Sequence, residues 1–150
     1  MVGKRKILIA ATIAVAGLMA FGGSALAGTI LTATLTRAAE VDEVGNPNQA
    51  DPNGEGNARL DLMPNKEQIC YRIMVSNIRL ATAEHIHKGT STERDPIVRK
   101  LEAPRDGSSR GCVMLSRTKI MQIKNNPSGH YVNVHNKPFL DGAVRGQLHN

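Results

Sequence analysis

The stretch Ile69-Cys70-Tyr71-Arg72-Ile73-Met74-Val75 decides the fold class of this 150-residue chain. Its odd-numbered positions carry large apolar or aromatic side chains, and Cys, Arg and Met stand between them. In an extended chain, successive side chains point to opposite faces, so a period of two places one set on a core and the other on the surface. The stretch therefore predicts a half-buried β-strand.

The same alternation recurs along the chain. It predicts strands at Thr29–Thr36, Ala58–Met63, Ala83–His87, Ile97–Leu101, Gly111–Leu115, His130–His135 and Ala143–Leu148. Residues 38–57, rich in Gly, Pro, Asn and Asp, predict a long surface loop, and Asp141-Gly142 predicts a hairpin turn. One short helix is expected at Arg117–Lys124, after a Ser116 N-cap. Seven or eight short strands favour an all-β fold, an antiparallel Greek-key sandwich or barrel of immunoglobulin-like or superoxide-dismutase-like type.

Residues 1–27 have the order of a secretory signal peptide. Lys4, Arg5 and Lys6 precede an uncharged, mostly apolar run, Ile7–Phe21, and the small-residue site Ala25-Leu26-Ala27 follows. This order predicts cleavage after Ala27 and one domain at residues 28–150. An uncleaved membrane anchor is the alternative, although the apolar run is short against the roughly 20 residues of a spanning helix. We expect an extracytoplasmic protein, periplasmic or secreted, that meets the membrane only during export.

Cleavage would halve the net charge. The whole chain carries 19 basic and 13 acidic residues, a formal charge of +6, and three of the basic residues lie in the predicted signal. Residues 28–150 therefore carry 16 basic and 13 acidic residues, net +3. With two Tyr, two Phe and no Trp, the chain also lacks rings for stacking bases. We expect no nucleic-acid partner.

Cys70 and Cys112 are the two cysteines of the sequence. An isolated pair in an exported chain favours a disulfide, and neither residue belongs to a Cys-x-x-Cys redox motif.

The histidines are the residues whose positions most clearly suggest a binding site. His85 and His87 flank Ile86 on a predicted strand, so both imidazoles leave one face while Ile86 enters the core. His135 lies on the outer face of another predicted strand, beside inward-facing valines. If these strands are neighbours, the three imidazoles converge on the exterior, where they would suit copper or zinc better than calcium or magnesium. Outward histidines that only meet solvent or a loop are the alternative, and His130 and His149 are ordinary surface histidines on this interpretation.

Four segments together resemble the chordin-type (CHRD) domain: Cys70–Ile78, Ala83–Gly89, Tyr131–His135 and Gly142–Leu148. Leu35-Thr36, Glu40-Val41 and Gly111-Cys112-Val113 also fit, and the resemblance covers nearly all of residues 29–148. It implies an exported antiparallel β domain and no settled activity. The sequence departs from the family pattern at Asn77-Ile78, where a Gly-Leu turn is usual, and in its long loop.

A weaker similarity links the chain to the Cu/Zn superoxide dismutases, which also have a His-x-His on a strand and a later Val-His. On that similarity His85, His87 and His135 match copper ligands, and Arg145 matches an anion-guiding arginine. A bridging histidine and a zinc-binding cluster have no counterpart in residues 88–110.

Two functions follow. The favoured one is an exported, non-enzymatic module that binds an unidentified protein or surface ligand, with no catalytic residues and no cofactor. The alternative is a copper-binding or superoxide-dismutase-like protein that uses the three histidines.

Overall fold

Eight antiparallel strands form one sheet in the computed structural model, which describes residues 28–150 except residues 43, 48 and 95. The predicted signal peptide lies outside the described residues. The strands are β1 Thr29–Thr36, β2 Glu55–Met63, β3 Gln68–Ser76, β4 Ala81–Lys88, β5 Ile97–Leu101, β6 Ser108–Met114, β7 His130–Asn136 and β8 Val144–Gln147. One α-helix, α1, runs over Arg117–Asn125, and short 3₁₀ turns lie at Arg37–Ala39, Pro64–Lys66 and Pro127–Gly129.

The strand order is β5-β4-β7-β8-β1-β2-β3-β6, so consecutive strands are not always neighbours. The connections from β3 to β4 and from β6 to β7 pass between the two ends of the sheet, which is a Greek-key arrangement. Side chains link these ends. Ser109 of β6 donates to Glu84 of β4 at 2.9 Å, and the Glu102 amide, just after β5, donates to the Tyr71 hydroxyl of β3 at 3.1 Å. The sheet is therefore a nearly closed barrel, and the predicted fold class is confirmed.

The interior is filled by alternate residues of the strands, as the period of two requires. Leu31 and Leu35 of β1, Leu60 of β2 and Ile73 of β3 are each 0% exposed. Helix α1 closes one end of the barrel, since Ile120 and Ile123 are fully buried and belong to the same core cluster.

The predicted strands all exist, with shifts at their ends. β2 begins at Glu55, three residues earlier than predicted, so the irregular loop ends at Gly54 instead of residue 57. The predicted hairpin at Asp141-Gly142 is in fact part of a longer connection, residues 137–143, between β7 and β8. The helix lies where it was predicted and is one residue longer.

The loop between β1 and β2 packs on the outer face of the barrel. Glu40, Val41, Ala50 and Asp51 are buried, although none of them lies in a strand. Asp51 ties the loop down, because its carboxylate accepts a hydrogen bond from the Asn136 side chain at 2.8 Å. Every residue of β7 is buried, on both faces of the sheet, and this loop contributes to the cover of its outer face.

A disulfide joins Cys70 to Cys112, which face each other directly in the β3–β6 pair. Because β6 is an edge strand with one neighbour, this bond fixes the outermost strand to the sheet. The predicted pairing is confirmed.

Replacing Cys70 with Ser should lower the melting temperature by about 10 °C or more under oxidising conditions. Closing a loop of 42 residues removes denatured-state entropy worth about 4 kcal/mol on the chain-entropy model. Thermal denaturation followed by circular dichroism checks this. Wild type with its disulfide reduced should have the same melting temperature as the variant. If Cys70→Ser and disulfide-bonded wild type melted at the same temperature, the stabilising role would be contradicted.

Glu84 is a buried carboxyl on the interior face of β4. It is 0% exposed, shares its face with Ile86, and accepts a hydrogen bond from the buried Ser109 hydroxyl. Burial raises the pKa of Glu84 from 4.5 to about 8, and the bond from Ser109 opposes that rise. The carboxyl is therefore protonated and neutral in the fold at pH 7.

Glu84→Gln should become more stable relative to wild type as the pH rises from about 4.5 to about 8. Across that interval the unfolded wild type loses its Glu84 proton while the folded protein keeps it, so wild-type stability falls. Gln has the same shape, keeps an acceptor for Ser109 and does not titrate. Urea unfolding of both proteins at several pH values measures the difference, and a constant difference would show that Glu84 has an ordinary pKa.

Candidate metal centre

The pairing of β4 with β7 brings three histidines together on the outer face. In this antiparallel pair Ala83 faces His135, His85 faces Asn133, and His87 faces Tyr131. His135 is thus diagonal to His85. All three imidazoles project from the outer face of the sheet, whereas Ile86 projects from the inner face. Ile86 is 0% exposed in the core, as predicted.

The imidazole nitrogens are close enough to share one ion. One ligand nitrogen from each of His85, His87 and His135 lies within 4.8 Å of the others. His85 Nδ1 and His135 Nε2 are 3.1 Å apart. Among the described residues, these three form the one group of His, Cys, Asp or Glu side chains that meets this criterion.

The backbone fixes the tautomer of His135. Its Nδ1 lies 2.9 Å from the Leu140 carbonyl oxygen, which can only accept a hydrogen bond. Nδ1 therefore carries the proton and donates it, which leaves a lone pair on Nε2, directed at His85. Histidine ligands in metal sites are commonly oriented by such a bond from the second ring nitrogen to a carbonyl.

His87 is held by ring stacking. Its imidazole lies parallel to the Tyr131 ring, with 4.8 Å between centroids and 4° between planes. The Arg145 guanidinium lies 3.5 Å from the centroid of the same tyrosine. Since β4 and β8 flank β7 on opposite sides, Tyr131 stands between the histidine and the arginine.

Arg145 is buried, at 1% exposure, and its side chain donates to backbone carbonyls. It bonds the Glu93 carbonyl at 2.8 Å and the Thr90 carbonyl at shorter range. Gln147 of the same strand donates to the Gly89 carbonyl at 2.7 Å. These contacts anchor the segment after β4 against the barrel. The anion-guiding role implied for Arg145 stays a prediction, and the contacts themselves assign it a loop-anchoring role.

The histidines are more covered than the sequence predicted. His87 and His135 are each 8% exposed, and only His85 is half-exposed. Their face of the sheet is the predicted outer one, but loops cover it: the long β1–β2 loop, the segment anchored by Arg145, and residues 137–143. Strand periodicity determines which face a side chain takes and says nothing of the loops that cross it.

Burial keeps the imidazoles of His85 and His135 neutral. Desolvation is the main cause that lowers the pKa of His85, and of His135, from 6.5 to about 4. The neighbouring histidines contribute in the same direction, because two adjacent imidazolium charges would repel. A neutral imidazole is the form that binds a metal ion.

A buried acid near the histidines was not predicted from the sequence. Glu40 is 2% exposed, and burial raises its pKa from 4.5 to about 8 against the opposing effect of Arg145. Asn133 links it to the histidine face, donating to Glu40 Oε2 at 3.5 Å and to the Asp141 carbonyl at 3.1 Å. The sequence signal was the Glu40-Val41 pair of the family resemblance, whose burial no local pattern predicts.

Gly142 makes room for Glu40. A Cβ at this position would lie 2.3 Å from both carboxyl oxygens of Glu40, and the φ of Gly142 is +156°. A glycine is therefore required where the β7–β8 connection crosses the buried acid.

The other two histidines stand apart from the group. His130 is buried at the start of β7 and bonds the Asn126 carbonyl at 2.8 Å. His149 is exposed and lies beside Thr32 of β1, at 3.3 Å. Neither belongs to the three-histidine group. The prediction of a surface histidine holds for His149 and is wrong for His130, which shares the inward-facing parity of Val132 and Val134 on β7.

No helix in the described part of the chain is long and apolar enough to cross a membrane.

Neither the comparison with curated proteins nor the comparison with solved structures gave a match. The family model of the CHRD domain matches residues 31–148, which is most of the chain and includes every strand except the start of β1. Together with the disulfide, this match fits a binding or interaction module of extracytoplasmic type. The chain therefore belongs to the CHRD domain family.

Proposed function

We propose that this CHRD domain is an exported, non-enzymatic binding module whose outer face holds one copper ion through His85, His87 and His135. The observation that carries the proposal is the convergence of three imidazole nitrogens within 4.8 Å. The disulfide supports the export part, since such bonds persist in oxidising compartments.

The donor set favours a transition metal of the copper–zinc type. Imidazole nitrogen suits Cu and Zn, whereas Ca²⁺ and Mg²⁺ prefer carboxylate, carbonyl and water oxygens. Among the divalent first-row ions, copper binds nitrogen sites most tightly, which is why we propose copper ahead of zinc.

Binding requires a small contraction of the group. Metal–imidazole bonds of about 2.0–2.1 Å place ligand nitrogens closer together than 4.8 Å. His135 is fixed by Leu140 and His87 by Tyr131, whereas His85 is the most exposed of the three. We expect His85 to make the largest movement, and the proton it shares with His135 Nε2 to be displaced by the metal.

The covering loops support binding without catalysis. Two of the three imidazoles are only 8% exposed, so a substrate would have little access to an ion held between them. The dismutase-like alternative requires superoxide to reach the metal. It would be favoured over pure binding if the copper-loaded protein dismutated superoxide and the His87→Ala variant did not.

The test uses the full 150-residue chain expressed in a bacterium and recovered from outside the cytoplasm. The intact mass should be that of residues 28–150, with the disulfide formed. Titration with Cu²⁺ at pH 7 should give one equivalent per chain. His87→Ala and His135→Ala should each weaken binding more than the roughly 10–100-fold typical of losing an outer-sphere partner.

His149→Ala is the matched control, because His149 is an exposed imidazole outside the group. It should bind copper like wild type. Failure of wild type to bind Cu²⁺, or equal weakening in His149→Ala, would contradict the site. Recovery of uncleaved chain would contradict the export part alone.

A further inference from the structure

Three arginines stand in one line on the outer face of the other half of the sheet. Arg59 of β2 is directly opposite Arg72 of β3, and Arg72 is directly opposite Arg110 of β6. Directly opposed residues of antiparallel strands point to the same side, and all three are exposed. We call these residues the arginine row.

The arginine row has an unfavourable charge arrangement in the free protein. Neighbouring strands are about 4.8 Å apart, so three guanidinium groups extend from backbone positions spread over about 10 Å. Like charges directly opposite one another destabilise a sheet. Within residues 28–150 as described, no ion pair or hydrogen bond neutralises these three side chains. A bound polyanion would remove the repulsion.

Polar side chains continue the arginine row across β1. Thr32 of β1 is paired with Arg59, and His149 forms a β-bridge with Thr32. The polar strip therefore crosses β6, β3, β2 and β1 and ends at the His149 bridge. Four spacings of about 4.8 Å between neighbouring strands make it about 19 Å long. A shallow concavity of about 430 Å³ lies along it, lined by Thr32, Arg59, Arg72 and His149 among others.

The disulfide holds the end of the row in place. Cys70 and Cys112 are opposed two residues along β3 and β6 from Arg72 and Arg110, on the same face. The edge strand that carries Arg110 therefore cannot slip relative to Arg72. Asp61 of β2 is paired with Cys70, and its Oδ1 lies beside Gly28, the residue just before β1. The row itself contains no carboxylate.

We propose that the arginine row binds a linear acidic polysaccharide, whose regularly spaced carboxylates pair with successive guanidinium groups. Arg presents a planar fork of donors that matches a carboxylate in bidentate geometry. Single-stranded nucleic acid would call for aromatic rings on which bases stack. Tyr71, the aromatic residue of β3, is 7% exposed and belongs to the core. The surface thus offers charge and hydrogen bonds without a base-stacking platform.

The test measures binding of the disulfide-bonded protein to polygalacturonate at low ionic strength, with uncharged dextran as the reference polymer. Wild type should bind polygalacturonate and not dextran. Arg72→Gln removes the central charge of the row and should raise the Kd about fivefold. This is the largest change expected from the loss of one exposed ion pair. The Arg59→Gln, Arg72→Gln, Arg110→Gln triple variant should lose binding.

Arg105→Gln is the matched control, since Arg105 is exposed but lies in the turn before β6, outside the row. It should bind like wild type. Arg72→Gln should melt no lower than wild type because it relieves repulsion, so lost binding would not reflect unfolding.

Three results would overturn the inference: no binding of wild type to polygalacturonate, equal weakening in Arg105→Gln, or tighter binding of a single-stranded oligonucleotide than of polygalacturonate. The inference is independent of the metal site. His87→Ala should bind the polymer normally, so failure of the copper proposal and failure of this one are distinguishable.

Discussion

The antiparallel pairing of β4 with β7 is the constraint on which the candidate site depends. It places Ile86 opposite Val132 inside the barrel, and the same alternation turns His85 and His87 outward. A slip of one residue would reverse both sets, moving two imidazoles into the core and the isoleucine to the surface. The apolar core therefore fixes the geometry of the histidines, and the cost of burying imidazoles in place of Ile86 holds the register.

The outer face of β4, β7 and β8 behaves as a second, polar interior. Loops cover it, and its polar side chains form hydrogen bonds with backbone carbonyls of those loops. His135 bonds to Leu140, Arg145 to the segment after β4, and Asn133 to Asp141. Burial here favours neutral groups, which is why the pKa of Glu40 rises and the pKa values of His85 and His135 fall. The opposite half of the sheet keeps an open outer face, and there the three arginines remain exposed and charged. One barrel thus presents two chemically distinct surfaces.

Strand alternation was enough to predict the strands and the outer face of His85, His87 and His135, whereas His130, expected at the surface, is buried. Ile69–Val75 shows the period throughout and Thr29–Thr36 shows it most clearly near its end, and both form strands within a residue of the prediction. The disulfide followed from the count of two cysteines. The burial of His87 and His135 could not be predicted, because it depends on Asp51 and Arg145 anchoring loops whose sequences have no periodicity. The arginine row was also missed: Arg59, Arg72 and Arg110 become neighbours only through the pairing of β2, β3 and β6, which no local pattern specifies.

The most direct measurement of the central claim is long-range ¹H–¹⁵N correlation NMR of the imidazoles in metal-free protein at pH 7. The account predicts that His135 is neutral, with its proton on Nδ1 and an unprotonated Nε2 facing His85. The Nε2 resonance should then shift on addition of one equivalent of diamagnetic Zn²⁺, a stand-in for copper, while the resonances of His149 stay in place. A His135 ring protonated on Nε2, or titrating near pH 6.5 like a free histidine, would contradict the account.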